Sequence, residues 1–205
     1  MFTTTPTHTE RHPTETRRRE VLTEARQIVA THGMHGLTTK ALAHATGVSE
    51  GALYRHFKGK DDILLGLIDD IEETLFEKLE EAKEESGSVL ERLERLLETH
   101  LSYSERRRGV SFIVISEVLL NGDRRLKQRM QTVIGRYLRL VQALLEEGVV
   151  EGQVKQNIDP SAAALAFFGL VQASITLWRL TSTESSPSER FGALWRLYRN
   201  GIAAS

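Results

Sequence analysis

The sequence predicts an all-α protein of about nine helices, with a three-helix N-terminal head joined by a long helix to a larger helical body. Three observations predict it. Apolar residues recur at helical spacing, and the stripes are punctuated by N-caps, glycines and prolines. Thr38 to Gly47, followed by Val48 to Asp62, has the layout of two short helices across a tight glycine turn. Charge also divides by position: the first sixty residues hold nine Lys/Arg against five Asp/Glu, and the rest hold eighteen against twenty-three.

The chain has 205 residues, 40% of them hydrophobic, enough for one large domain or two small ones with a real core. Cysteine is absent, which excludes disulfides, thiolate zinc sites and thiol nucleophiles. The start, MFTTTPTHTE, has neither a basic nor an apolar signal region, so a cytoplasmic protein is expected. Six of the seven histidines fall in the first sixty residues. A basic head on an acidic body suits a polyanionic partner for the head alone. On charge alone, chance clustering around Arg17, Arg18 and Arg19 explains the asymmetry equally well.

Residues 1–13 are rich in Thr, His and Pro and almost free of apolar side chains, so a flexible arm is expected. It meets the basic run and lies within reach of a nucleic-acid backbone, although a solvated tail is the favoured reading. From Thr14 or Thr16 onward, Val21, Leu22, Ala25, Ile28 and Val29 form one amphipathic stripe ending near His32 and Gly33. After a turn to Gly36, Thr38 caps a second helix that buries Ala41, Leu42 and Ala45. Gly47 ends it and Ser49 caps the third. In that third helix Leu53 and Phe57 face inward, while Gly51, Ala52 and Arg55 face outward, flanked by Glu50, Tyr54 and His56. A glycine inside a helix costs about 1 kcal/mol relative to alanine. Two nearly side-chain-free positions on an exposed face let a helix sit deep in a major groove, about 12 Å wide.

These residues carry a resemblance. Gly36, Thr38-Thr39, Gly47-Val48-Ser49, Leu53-Tyr54, His56-Phe57 and Lys60 stand in the order found in one group of regulators. The span from Arg17 to about Leu67 resembles the DNA-binding domain of the TetR/AcrR family of transcriptional regulators. The resemblance implies a helix-turn-helix head over residues 14–60 that meets a double-stranded operator. Its DNA-facing set would be Thr38, Thr39, Lys40, Ser49, Glu50, Gly51, Ala52, Tyr54, Arg55, His56 and Lys60. Thr39, Tyr54, His56 and Lys60 match phosphate-holding positions, Lys60 adding its charge to a helix N-terminus. Lys40, Glu50, Gly51, Ala52 and Arg55 match positions that approach base edges. Glu50 is repelled by phosphates unless it meets a cytosine amino group; orienting Arg55 or capping the helix are the alternatives.

The body follows over residues 61–205. Asp61 and Asp62 open a long helix carrying Ile63, Leu64, Leu67, Ile68, Ile71, Leu75 and Leu79 to about Glu85. Ser86-Gly87 breaks it, and Ser88 to Glu91 is a capping box for a fifth helix with Leu90, Leu93, Leu97 and Leu101 inward. Glu105 to Gly109 reads as a solvated charged turn in preference to an anion site. A sixth helix covers about Val110 to Leu120, and a seventh runs from about Asp123 to near Gly148. Asp159-Pro160 opens an eighth, almost wholly apolar from Ala162 to Leu180. Its length suits a membrane span, but Gln172, Ser174, Thr176 and Arg179 favour burial between the core and a second subunit. Ser186 to Glu189 opens the ninth, carrying Phe191, Leu194, Trp195, Leu197, Tyr198 and Ile202.

The resemblance further implies a homodimer through helices 8 and 9 and a body that encloses an unknown small-molecule effector. The candidate lining is Leu97, His100, Leu101, Phe112, Ile115, Met130, Ile134, Tyr137, Phe167, Val171 and Trp178, with His100 and Tyr137 as polar anchors. Each is also readable as plain core. No phosphate loop, nucleophile elbow or His-Glu-x-x-His metal site is present, and Glu117 has no partner at a readable spacing. An enzyme and a cofactor are therefore not expected. A ligand-independent architectural DNA-binding protein is the serious alternative.

Overall fold

The computed structural model describes residues 13–181 and 186–204. The expected arm lies outside them except for Pro13, which opens the first helix. The described helices are α1 (Pro13–Gly36), α2 (Thr39–Thr46), α3 (Glu50–Tyr54), α4 (Lys60–Glu84), α5 (Val89–Arg106), α6 (Val110–Asn121), α7 (Arg124–Val150), α8 (Pro160–Thr181) and α9 (Phe191–Ile202). The fold is all-α. The chain separates into two compact units, one ending at Ile63 and the other beginning at Leu64, so α4 starts in the first and continues in the second.

In the first unit, α1 packs on α2 and α2 on α3. The core between them takes Val21, Leu22, Ala25, Val29, Leu42, Leu53 and Phe57. Helical backbone in α1 is interrupted at Gly33 (φ 68°, ψ −174°), a left-handed conformation that glycine adopts without a Cβ clash. The second helix differs from expectation in its face. Ala43 is buried with Leu42, whereas Ala45 is exposed.

In the second unit α7 and α8 make the most extensive pairing, and α5 touches α7, α8 and α9. The α5 capping box forms as expected, with Ser88 and Glu91 each serving the other's backbone N–H. Leu90 is only half-buried; Leu96 takes the fully buried place. α7 does not stop at Gly148 but continues to Val150. Gly148 is a packing position: a Cβ there would lie 2.6 Å from Val154 and 3.0 Å from Val89. The ninth helix begins at Phe191, because Ser186 to Arg190 form a turn before it.

The turn after α5 is not simply solvated. Arg107 donates to Asp70 of α4 at 2.5 Å, both side chains being largely buried. Thr74 of α4 meets the Tyr103 hydroxyl at 2.9 Å. On the α7 side, Arg129 pairs with Asp69 at 2.8 Å and also with Glu72, and Arg136 reaches Glu72 at 3.4 Å. Partial burial works against the Glu72 charge, but Arg129 and Arg136 hold its carboxyl below the ordinary carboxylate range. Within the second unit, α4 is thus held by polar contacts to both α5 and α7.

Candidate functional site

The exposed surface of the first unit is built by two short helices whose ends are closed by their own side chains. Thr38 accepts from the Ala41 N–H at 3.1 Å, and Ser49 accepts from the Ala52 N–H at 3.2 Å. Gly47 sits at φ 67° and closes α2 by donating its N–H to the His44 carbonyl. The turn from α3 to α4 is pinned by Asp62, which accepts from the Lys58 N–H at 3.0 Å. The third helix is shorter than expected and ends at Tyr54, but the turn after it keeps the Phe57 N–H on the Leu53 carbonyl at 2.9 Å. Leu53 and Phe57 are both buried, each 3% exposed, which fixes the roll of α3 and of this turn.

With that roll fixed, the opposite face is determined. Glu50, Gly51, Tyr54 and Arg55 are exposed, and Ala52 and His56 are half-buried. Lys40, Ser49, Lys60 and Thr38 are exposed and Thr39 is half-buried. A Cβ at Gly51 would meet nothing within 4 Å, so the absence of a side chain there is not required by packing in the free protein. Among the described residues neither Glu50 nor Arg55 makes a hydrogen bond or ion pair with another side chain, so Glu50 does not orient Arg55 here. Ser49, not Glu50, provides the cap; Glu50 lies in the first turn, where a carboxylate suits the helix dipole.

One head residue departs from its sequence reading. Arg18, taken with Arg17 and Arg19 as a basic run, donates to the His56 carbonyl at 3.1 Å. Its guanidinium also stands 4.5 Å from the centroid of the Phe57 ring. A cation at the carbonyl end of α3 satisfies an orphan acceptor and complements the dipole. Arg18 is therefore a brace between α1 and the end of the exposed helix.

In the second unit the proposed lining separates into two groups. Leu97, His100, Leu101, Met130, Tyr137, Phe167 and Val171 are buried, while Phe112, Ile115, Ile134 and Trp178 are half-buried. The His100 and Tyr137 rings meet edge to face at 5.0 Å. The next ring against Tyr137 is Phe168, at 5.4 Å, while Phe167 turns to Tyr198 at 5.2 Å. Among the described residues neither the His100 Nδ1 nor the Tyr137 hydroxyl has a hydrogen-bond partner. Burial pushes the His100 imidazole down to about 3 and pushes the Tyr137 phenol up. Sequence reasoning missed Phe168 and Ser104. Ser104 had a signal, its i+4 spacing from His100; Phe168 had none, because α8 is apolar on nearly every side.

Among the described residues no cluster of His, Cys, Asp or Glu suits a metal ion. α8 is long and apolar enough to cross a membrane by length and composition alone. It leaves Leu165, Leu177 and Leu180 exposed, and α9 leaves Leu197 exposed.

Comparison with known proteins agrees with both units. Residues 21–67 match the family described as bacterial regulatory proteins, tetR family. Residues 69–186 match the C-terminal region of YsiA-like protein. The nucleoid occlusion factor SlmA of Aliivibrio fischeri is 34% identical over 183 residues, 88% of this chain and 93% of that protein. The fatty acid metabolism regulator protein of Bacillus subtilis is 26% identical over 159 residues, 78% of this chain and 81% of that protein. The crystal structure of the Bacillus subtilis transcriptional regulator FadR in complex with stearoyl-CoA has a TM-score of 0.79 and 24% identity, covering 90% of this chain and 98% of that one. That last likeness is one of fold.

Proposed function

Because the chain belongs to the tetR family of bacterial regulatory proteins, which are DNA-binding transcriptional regulators, we propose that it is a cytoplasmic dimeric repressor released from a palindromic operator by a small apolar or aromatic effector. The observation that carries the effector is the pair of His100 Nδ1 and the Tyr137 hydroxyl, buried between α5 and α7 with no hydrogen-bond partner among the described residues. Buried polar atoms are normally paired, because the hydrogen bonds they gave up to water must be replaced. A purely architectural body has no use for an unpaired pair.

The exposed face of α3 supports the DNA assignment. Tyr54, His56, Thr39 and Lys60 hold phosphates and set register, while Lys40, Glu50, Ala52 and Arg55 approach base edges around the bare backbone at Gly51. Thr38 and Ser49 already serve as caps, and their hydroxyl protons remain for a phosphate. The exposed leucines of α8 and α9 support a homodimer through those helices, since burying a leucine side chain contributes about 1.5–3 kcal/mol. Two heads about a two-fold axis then read half-sites about 34 Å apart or at a related spacing. The complex named for FadR makes a long acyl chain one effector chemistry to try early.

Selection of bound fragments from a random DNA pool tests this reading. A recovered palindrome that is released by an apolar effector supports it; an asymmetric site bound by one subunit sinks it. A second reading is favoured by the 34% identity to a nucleoid occlusion factor: a dimeric DNA-binding protein that acts without an effector. It predicts many chromosomal sites and no release by any small molecule.

A further inference from the structure

Three polar atoms on the inner faces of α5 and α7 are buried without a hydrogen-bond partner among the described residues: Nδ1 of His100, Oγ of Ser104 and the hydroxyl of Tyr137. The three residues are 3%, 0% and 3% exposed. His100 and Ser104 lie four residues apart on α5 and so share a face. Tyr137 of α7 stands edge to face with His100 at 5.0 Å, and Phe168 of α8 adds an aromatic wall 5.4 Å from Tyr137. Leu97 and Leu101 are sealed on the same helix as His100.

What such a site accepts follows from its charge. Burial alone accounts for the low His100 pKa of about 3, with no charged neighbour contributing, so the imidazole is neutral at pH 7. The phenol stays protonated. Two hydroxyls and one neutral imidazole offer donors and acceptors but no compensating charge. A carboxylate or ammonium placed there would lose its hydration with nothing of opposite sign to replace it.

The geometry points to an effector that presents an uncharged polar group, a hydroxyl, amide or ester-type carbonyl on an apolar skeleton, to His100, Ser104 and Tyr137. This rests on the effector-responsive reading above and adds the chemistry of the buried group. Carboxylate and ammonium ligands are disfavoured at this position, because the free protein offers them no standing opposite charge.

Two matched pairs of probes test it on the full chain at pH 7: octan-1-ol against octanoate, and 4-butylphenol against 4-butylbenzoate, with Tm followed by calorimetry. At least one uncharged probe should raise Tm, by about 3–6 °C at ten times its Kd, and its charged counterpart should not. The shift should vanish in Tyr137→Phe combined with Ser104→Ala. Without any probe that double variant should melt at or above the wild-type Tm, since it deletes unpaired polar atoms. Equal shifts from the charged probes, a shift that survives in the variant, a lower Tm for the variant, or no response to either uncharged probe overturns the inference. Operator release is read separately. A probe that shifts Tm through these residues without releasing DNA supports the binding chemistry and counts against the repressor reading.

Discussion

Lowering the pH should destabilise the body through one imidazole. Burial pushes His100 from its ordinary 6.5 down to about 3, and no charged side chain shares in the shift. In the folded protein the ring is neutral; in the unfolded chain it protonates near 6.5. The stability it contributes is therefore fully present above pH 6.5 and is lost as pH falls toward 3. Between pH 7 and pH 5 the relevant interval is about 1.5 pH units, worth about 2 kcal/mol at 1.36 kcal/mol per unit. For a chain of 205 residues that lowers Tm by about 4–8 °C. Carboxylates held low by partners, such as Glu72 and Glu105, lose their contributions only at lower pH, as it falls through their depressed pKa values. The clean measurement is the difference between wild type and His100→Phe, which keeps the edge contact with Tyr137 but cannot titrate. Calorimetry at pH 7, 6 and 5 should show the wild type losing this increment and the variant lacking it. Parallel pH profiles would refute the reasoning, because they would mean that His100 takes up protons in the folded state as readily as in water.

Four further outcomes are expected. Gly51→Leu enters open space, so free-protein stability should hold or rise, by up to about 1 kcal/mol from helix propensity, while operator affinity falls at least about tenfold; an unchanged affinity in binding titrations would place Gly51 away from DNA. Arg18→Ala removes a partly exposed charged bond to the His56 carbonyl and should cost the head about 1 kcal/mol. It should also narrow the gap between cognate and random DNA without changing the salt slope, whereas a reduced slope would return Arg18 to the phosphates. Arg55→Ala should lose about 1–3 kcal/mol of discrimination at one base pair, and equal losses on cognate and random DNA would remove it from base reading. Leu180, 76% exposed on α8, is expected at the subunit interface, so Leu180→Glu should sediment as a monomer; a persistent dimer would put the interface elsewhere.

Much of this protein was legible from local chemistry. Caps at Thr38, Ser49 and Ser88 and the helix-ending Gly47 sit where residue type and spacing place them, because a cap involves groups only two or three residues apart. The inward turn of Leu53 and Phe57, and with it the outward face of α3, followed from a 100° period that the turn after Tyr54 continues through the bond from the Phe57 N–H to the Leu53 carbonyl.

Where the period carries no contrast, the sequence is silent. α8 is apolar nearly all round, so nothing local says that Phe168 meets Tyr137 while Phe167 turns to Tyr198. Gly148 reads as a helix stop and is a contact point, because the chain folds back at Val154 and Val89 comes to it from the start of α5, 59 residues away in sequence. Arg18 reads as part of a basic run and is a brace, since its acceptor lies 38 residues away. The sequence by itself determined an all-α chain, because caps and amphipathic periods are short-range, and the family resemblance of residues 17–67 marked its head as DNA-binding. Only the tertiary structure decided which buried polar atoms remain unpaired, because a hydrogen-bond partner across a core is a matter of three-dimensional reach.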